Sequence, residues 1–169
     1  MTAPFIIRPL QRRQAAAWRD IRLEALRHHP TAFLAEYEVW AGRDLDAFTE
    51  TMPPDDAPSA ILGAFNSGGL AGTAGFAVET GGKVKHKGVL WGMYVRPAVR
   101  GTGASDALIE AVIARAREHV ELLKVGLNAE NAYARELYVR HGFRSYGVEP
   151  RAIRVDGRDY DEELMVLEL

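Results

Sequence analysis

The sequence predicts an α+β fold in a single domain over residues 1–169. Two observations predict it. Apolar runs typical of strands lie both before and after segments with helical periodicity, and three of these runs follow one another with no helix between them. A chain of 169 residues can also bury one substantial core and leaves little room for a second. The predicted order is strand, helix, helix, a meander of strands, helix, strand, helix and a strand hairpin.

The first half of the chain is predicted to hold one strand, two helices and the meander. The run "FIIRPL" indicates a strand, and the spacing of Trp18, Ile21 and Leu26 predicts a helix that ends before Pro30. A second helix is predicted around "GRDLDAFTETM". The runs "AILGAF" and "LAGTAGFAVET" flank the glycine turn "NSGG", which favours an antiparallel hairpin, and "GVLWGMYV" is the third strand.

The second half begins with an amphipathic helix. Leu108, Val112 and neighbouring apolar residues mark its buried face, and "LLKVGLN" after it is typical of a buried strand. A short helix over "AYARELYVRH" is predicted to stop at Gly142, which suits a left-handed helix end. The last two strands are predicted to turn at Asp156-Gly157.

Composition excludes several classes of protein. The chain is 47% hydrophobic and 26% charged with a formal net charge of -2, so neither a nucleic-acid partner nor a disordered arm is indicated. It contains no cysteine, which excludes disulfides, thiolate metal sites and a cysteine nucleophile. No histidine pair has metal-ligand spacing, so no metal is expected. The N-terminal segment lacks the pattern of a signal peptide, and no apolar run is long enough to span a bilayer, so we expect a cytoplasmic protein with no membrane partner.

A glycine turn joins the third meander strand to the amphipathic helix. It reads Arg100-Gly101-Thr102-Gly103, and backbone N–H groups at a helix start are suited to binding phosphate. The P-loop and dinucleotide-binding patterns both fail, because Gly103 is followed by "ASD". From these residues alone, a phosphate site and a plain tight turn with Ser105 or Asp106 as helix cap remain equally open.

Two motifs resemble those of the GNAT superfamily of N-acetyltransferases. The run "LWGMYVRPAVRGTGAS" resembles the acetyl-CoA-binding motif Arg/Gln-x-x-Gly-x-Gly/Ala, and departs from it at Ser105, where the family prefers Gly or Ala. Downstream, "NAYARELYVRHGF" resembles the second motif of the superfamily. The matching residues of the second motif are Asn131, Ala134, Leu137, Tyr138, Gly142 and Phe143. The resemblance extends from about the first strand to the last hairpin.

The resemblance implies a fold, a donor and a binding site. The implied fold is a twisted, mixed and mostly antiparallel sheet flanked by helices, with a splayed parallel pair of strands, "GMYV" and "KVGLN", at the acetyl-CoA site. Gly92 fits a bulge in the first of these strands, or else close packing against Trp18 or another bulky side chain. The residues implied to bind acetyl-CoA are Met93, Val95, Arg96, Arg100, Gly101, Thr102, Gly103, Ala104, Ser105, Asn131, Ala134 and Tyr138.

The resemblance also implies direct acetyl transfer to a primary amine of a small molecule, peptide or protein. Tyr138 would protonate the departing CoA thiolate as general acid; the alternative is a core aromatic paired with Phe143. Asn131 would cap the short helix and could face the donor as well.

The strand "GVLWGMYV", which precedes the glycine turn, does not indicate a general base. Many members of the family carry a glutamate there, but "GVLWGMYV" has no carboxylate. Glu36, Glu38, Glu79 and His86 are the substitutes, of which Glu38 and His86 are retained as hypotheses. The segment "HHPTAFLAEYE" is expected to border the acceptor cleft, with its Phe33 in the core.

Two further readings accompany this one. A CoA-binding sensor or structural domain without transferase activity is the alternative function, and a donor with a longer or acidic acyl group is a variant of the enzyme. The superfamily often pairs through its terminal strands, so a homodimer is expected. The identity of the amine acceptor does not follow from the sequence.

Overall fold

The computed structural model describes residues 5–169. Residues 1–4, at the start of the N-terminal segment in which no leader is predicted, lie outside it. Within the described part, seven strands form one sheet in the order β1-β2-β3-β4-β5-β7-β6. Neighbouring strands are antiparallel except for β4 and β5, which are parallel. The strands are β1 (Ile6–Pro9), β2 (Ala60–Asn66), β3 (Gly69–Val78), β4 (Lys87–Val95), β5 (Leu122–Asn128), β6 (Arg144–Val155) and β7 (Arg158–Glu168).

Five α-helices flank the sheet over the same residues. They are α1 (Ala15–His28), α2 (Tyr37–Ala41), α3 (Leu45–Thr51), α4 (Ala104–Arg117) and α5 (Ala132–Arg140). Short 3-10 turns cover Arg12–Gln14, Pro30–Ala32 and Pro97–Val99. Each strand and helix that the sequence predicts is present; α2 was not predicted, because five residues are too few to show helical periodicity.

The sheet buries an apolar core on each face. On one face, Leu108, Val112 and other residues of α4 pack with α5 against β3 to β5. On the opposite face, Trp18 and Ile21 of α1 pack with Phe48 of α3. The two layers bury both sides of the central strands, which explains why the runs of β2 and β3 are apolar without alternation.

The parallel pair separates partway along its length. Pairing of β4 with β5 is confined to Lys87–Val89 against Leu122–Lys124, and the strands then diverge. A bulge in β4 lies in the divergent part. Thr73 of β3 pairs with Tyr94 and Gly75 pairs with Trp91, so Ala74 between them lies opposite two residues of β4, Gly92 and Met93. The splayed pair that the family resemblance implied is confirmed.

Gly92 lies at this bulge with φ +59°, a left-handed conformation that favours glycine. The predicted bulge is therefore confirmed. A Cβ at Gly92 would also lie 3.2 Å from Nη1 of Arg22, so the bulky neighbour is an arginine and not Trp18. The helices of residues 5–169 include none that is long and apolar enough to cross a membrane.

Candidate active site

A cavity of about 500 Å³ extends from the splayed part of β4 to the first turns of α4 and α5. We call it the α4 cavity. It brings together residues from both sequence motifs, which are separated along the chain by α4 and β5. Eight of the predicted donor-binding residues line it: Met93, Val95, Arg100, Gly101, Ser105, Asn131, Ala134 and Tyr138.

The glycine turn at the rim of this cavity leaves the start of α4 open. Gly103 is the N-cap with φ +90°, and no side chain caps the helix. Gly101 is also left-handed, with φ +74°, and a Cβ at either glycine would meet nothing within 4 Å. The alternative in which Ser105 or Asp106 caps the helix is therefore wrong. The Asp106 carboxylate instead accepts hydrogen bonds from Arg140 and lies 2.8 Å from His141 Nε2.

Arg100, an exposed residue, links this turn to the end of β4 and to the end of α1. Its Nε donates to the carbonyl of Val95 at 3.1 Å, and its Nη2 lies 3.1 Å from Nε2 of His29. Since a guanidinium only donates hydrogen bonds, His29 Nε2 is the acceptor and the imidazole is neutral. Burial lowers the pKa of His29, and the charge of Arg100 lowers it further. His29, the C-cap residue of α1, thus lies in the α4 cavity.

Four of the predicted donor-binding residues do not line the cavity. Arg96 is engaged by Glu24, with Nε 3.2 Å from the carboxylate. Thr102 donates its hydroxyl proton to the Val99 carbonyl at 2.6 Å, and Ala104 is buried beneath the turn. These two, with the N-cap Gly103, shape the turn.

Tyr138 lies where the α4 cavity meets a second, smaller cavity. Only 5% of the residue is exposed, and its ring packs edge-on against Phe143 with centroids 5.5 Å apart. Burial raises the pKa of the Tyr138 hydroxyl, so it keeps its proton across the physiological range. Tyr138 is therefore both a core aromatic packed against Phe143 and a residue of the cavity lining. Asn131 caps α5 as predicted, accepting from Ala134 N–H at 3.0 Å, and lines both cavities.

The second cavity, of about 80 Å³, occupies the opening between β4 and β5. We call it the splay cavity. Trp91 and Gly92 line it from β4, Gly126 and Asn128 line it from β5, and Tyr138 lies at its junction with the α4 cavity. It therefore passes through the sheet between the two helical layers.

The predicted bases lie away from these two cavities. His86 precedes β4 at its paired end, where its carbonyl accepts from Glu121 N–H, and it lines neither cavity. Glu79 is held at the same end by Lys87 and Lys124. Glu38 lies in the first turn of α2 and lines a separate groove of about 750 Å³ between the α1–α2 link and the β6–β7 turn. The structure does not bring any of the three together with Tyr138.

Phe33 differs from its predicted place in the core. It packs against the α1 core layer but is only half-buried, and it lines the α4 cavity, the splay cavity and the groove. The α1–α2 link that carries it is tied to β5, because Asn128 Nδ2 donates to the carbonyl of Thr31 at 3.1 Å. The link therefore borders the cleft, as the sequence predicts.

Several ionisable residues at the site have no signal in the sequence. Tyr94 lines the α4 cavity and donates to Glu24 at 2.9 Å. Arg22 is buried against residues of the splay cavity, and Glu162 of β7 lies over Gly126. Helical spacing could have placed Arg22 next to the buried face of α1, but its contacts depend on a strand far away in sequence. Among residues 5–169, no cluster of three or more His, Asp or Glu could hold a metal ion.

The model of the acetyltransferase (GNAT) family matches residues 15–143, a span that includes both motifs and the splayed strands. The chain belongs to the GNAT acetyltransferase family. This member is accordingly an acyltransferase, and the acetyl group is what the family transfers.

Solved structures share the fold of this GNAT protein. The putative acetyltransferase yncA from Salmonella typhimurium, solved with its cofactor acetyl-CoA, superposes with a TM-score of 0.85 at 22% identity, covering 98% of this chain and 94% of that one. A GCN5-related N-acetyltransferase from Kribbella flavida gives 0.83 at 23% identity and covers 98% of each chain. The ribosomal-protein-alanine N-acetyltransferase from Brucella melitensis gives 0.77 at 24%, covering 97% of this chain and 99% of that one. These likenesses show the fold.

Proposed function

We propose that this protein transfers an acetyl group from acetyl-CoA directly to a primary amine. One observation carries the proposal: a single cavity extends from the uncapped start of α4, along the part of β4 that has diverged from β5, to Tyr138. That cavity offers an anion site at one end and a proton donor at the other. A phosphorylated carrier with an extended arm ending in a thioester fits this order.

The residues at the turn fit the donor's pyrophosphate. The first N–H groups of α4 carry the positive end of the helix dipole, and no side chain competes for them. Gly101 and Gly103 leave space where a Cβ would stand, and Arg100 adds a positive charge. Beyond Val89, β4 has no partner on its β5 side, so its backbone groups there can pair with the amides of the pantetheine arm.

The chemistry requires a neutral amine and a protonated leaving group. The lone pair of the amine attacks the thioester carbon, the attacking nitrogen releases one proton to solvent, the C–S bond breaks, and the Tyr138 hydroxyl donates its proton to the departing thiolate. Tyr138 regains a proton from solvent. Direct transfer needs no acetylated cysteine as an intermediate, and the chain contains no cysteine.

Titration calorimetry with acetyl-CoA and a thiol-release assay with a panel of amines test this function. We expect binding of acetyl-CoA and amine-dependent thiol release. Ser105→Trp would fill the cavity at a position with ordinary helical backbone, and Gly103→Trp would block the turn; both should abolish binding. Circular dichroism checks that the variants fold. No binding by the wild-type protein, or no thiol release with any amine, would contradict the proposal.

We also propose that the protein pairs with a second copy through β6. This strand is an edge of the sheet, so one side of its backbone is unpaired. Tyr146 and Val148 are 51% and 56% exposed on the same strand. Antiparallel addition of a second β6 would satisfy the backbone groups and cover both side chains.

A further inference from the structure

Arg22 is a buried cation with no partner for two of its three nitrogens. Only 8% of the residue is exposed, and its Nε and Nη1 have no hydrogen-bond partner among the described residues. Burial alone lowers its pKa to about 10, with no carboxylate opposing the shift. Buried arginines normally pair with an acid, because a buried unpaired charge costs several kcal/mol. An arginine left in this state is suited to an anion that arrives from outside.

Aromatic rings position this guanidinium beside the splay cavity. Its Cζ lies 5.2 Å from the ring centroids of both Phe33 and Trp40 and 5.8 Å from that of Trp91. Such rings offset part of the cost of burial while leaving the N–H groups free to bind an oxyanion. Phe33, Trp91 and Gly92, all neighbours of Arg22, line the splay cavity. Arg22 therefore stands behind the β4 wall of that cavity.

Glu162 lies beside the opposite, β5 wall of the splay cavity, next to Gly126. A Cβ at Gly126 would lie 2.7 Å from Cδ of Glu162, so the glycine makes the room that lets this carboxylate lie over β5. Gly126 lines the splay cavity and faces the same helical layer as Arg22, because its neighbours Val125 and Leu127 belong to the core of the other face. Burial, and then the nearby Glu149, raise the pKa of Glu162, which makes it a stronger base than an exposed glutamate.

We propose that the amine acceptor carries a carboxylate close to its amino group, as a free amino acid does, with Arg22 binding the carboxylate and Glu162 taking the proton from the ammonium. This inference rests on the proposed acetyl transfer. One cation behind the β4 wall of the splay cavity and one anion beside its β5 wall match a zwitterion. A polyamine would place a second positive charge near Arg22, which opposes its binding.

The proton and electron pairs balance through these two residues. Glu162 accepts one ammonium proton, the freed nitrogen lone pair forms the C–N bond with the thioester carbon, and the thiolate leaves with the C–S electron pair. The tetrahedral nitrogen then loses its second proton to solvent, while Tyr138 protonates the thiolate. The products are an N-acetylamino acid and CoA thiol.

Thiol release is measured with leucine and phenylalanine, with their carboxamides, and with a tripeptide that begins with aspartate. The carboxamides keep the amine and side chain but lose the charge. We expect the amino acids to be preferred over the carboxamides in kcat/KM. The aspartyl peptide distinguishes a free amino acid from a peptide as the source of the carboxylate.

Two variants separate the two roles. Arg22→Gln should lower kcat/KM for the amino acids by roughly 10- to 150-fold, the range for a charged hydrogen bond, and leave the carboxamides nearly unchanged. Glu162→Gln should lower kcat by roughly 100-fold for both kinds of acceptor. Arg19→Gln is the matched control on α1, because Arg19 stacks on Phe48 away from Gly92. Acetyl-CoA affinity should stay unchanged in all three variants.

Failure of this inference is distinguishable from failure of the proposed function. If carboxamides are acetylated as well as amino acids, or if Arg22→Gln weakens both equally, the carboxylate site is wrong although acetyl transfer stands. A lower melting temperature in Arg22→Gln together with equal losses would assign Arg22 a structural role and overturn the proposal. Thiol release that proceeds equally fast when amine is left out of the assay would contradict the transferase function itself.

Discussion

Tyr138 shows how one side chain can belong to the core and also line a cavity. Its ring belongs to the core layer beneath α4, and its edge-on contact with Phe143 restricts its rotation. The residue lines both cavities, and burial raises the pKa of its hydroxyl, which stays protonated. Rigid packing of this kind holds a proton donor at a fixed position relative to a bound thioester.

Tyr138→Phe removes the hydroxyl and keeps the packed ring. We expect kcat to fall by roughly 100-fold, the usual contribution of a general acid, while the dissociation constant of acetyl-CoA changes little. Steady-state kinetics and calorimetry measure the two quantities. Tyr133→Phe is the control, because Tyr133 is 61% exposed on the same helix and also lines the α4 cavity. An unchanged kcat in Tyr138→Phe would remove this residue from the mechanism.

At the scale of elements, the bulge in β4 determines which way the side chains at the end of the strand face. The extra residue at Gly92 shifts the strand so that Met93 faces the α4 side and Tyr94 faces the α1 side beyond the bulge. It also turns the strand away from β5 where the splay cavity opens. The local backbone conformation and the opening of the sheet therefore have a common origin.

Gly92→Ala should destabilise the protein by about 1–2 kcal/mol, the cost of a Cβ in the left-handed region. The added Cβ would also press on Nη1 of Arg22. Urea denaturation monitored by tryptophan fluorescence measures the change. Gly82→Ala serves as control, since Gly82 has open space around it and no left-handed φ. Equal stability of the two variants would mean that the bulge tolerates a side chain.

An ion-pair cluster closes the paired end of the same strands. Glu79, just after β3, contacts Lys124 of β5 and lies 3.4 Å from Lys87 of β4. The hydrogen bond from Lys124 and the two positive charges hold the pKa of Glu79 below its usual range. The stabilisation is therefore present above the ordinary glutamate pKa of about 4.3 and is lost as pH falls through the lowered value.

Glu79→Gln tests this pH dependence. We expect a loss of about 0.5 kcal/mol at pH 7, because the cluster is partly solvated, and a smaller loss at pH 3. Thermal denaturation at the two pH values gives the comparison. Glu110→Gln, at an exposed position of α4, should show no such pH-dependent difference. A loss in Glu79→Gln that is as large at pH 3 as at pH 7 would assign it to packing.

At the scale of the whole molecule, the sheet has two unpaired edges with different character. β1 is four residues long, whereas β6 is twelve residues long and carries exposed apolar side chains. Charged residues at the far end of β6, among them Arg154 in its ion pair with Asp159, leave Tyr146 and Val148 as its apolar part. A long edge of this kind favours association.

Val148→Lys should convert the proposed dimer to a monomer, because two lysines would meet across antiparallel β6 strands. Sedimentation velocity at micromolar concentrations measures the mass. Val139→Lys, at a position 47% exposed on α5, is expected to leave the dimer intact. A wild-type protein that sediments as a monomer, or a dimer insensitive to Val148→Lys, would contradict the β6 interface.

The sequence alone determined most of the elements, their order and the residues of the proposed donor site. The glycine turn, the cap by Asn131 and the stop at Gly142 were predictable because each depends on backbone conformation within a few residues. The two motifs added the family, and with it the splayed pair of strands. Three local expectations differed from the structure: α2 was not predicted, Phe33 is half-buried, and neither Ser105 nor Asp106 caps α4.

The acceptor side was decided by tertiary structure. His86 and Glu38 were reasonable bases by residue type, yet the sheet holds His86 at the paired end of β4, and α2 holds Glu38 at the separate groove. Arg22 and Glu162 come from opposite ends of the chain and lie next to Gly92 and Gly126, which line the splay cavity. Burial and the charges of neighbours determine their ionisation, and both depend on contacts between segments distant in sequence. Local patterns therefore predicted the residues of the proposed donor site, and only the packing of strands and helices placed the charges of the proposed acceptor site.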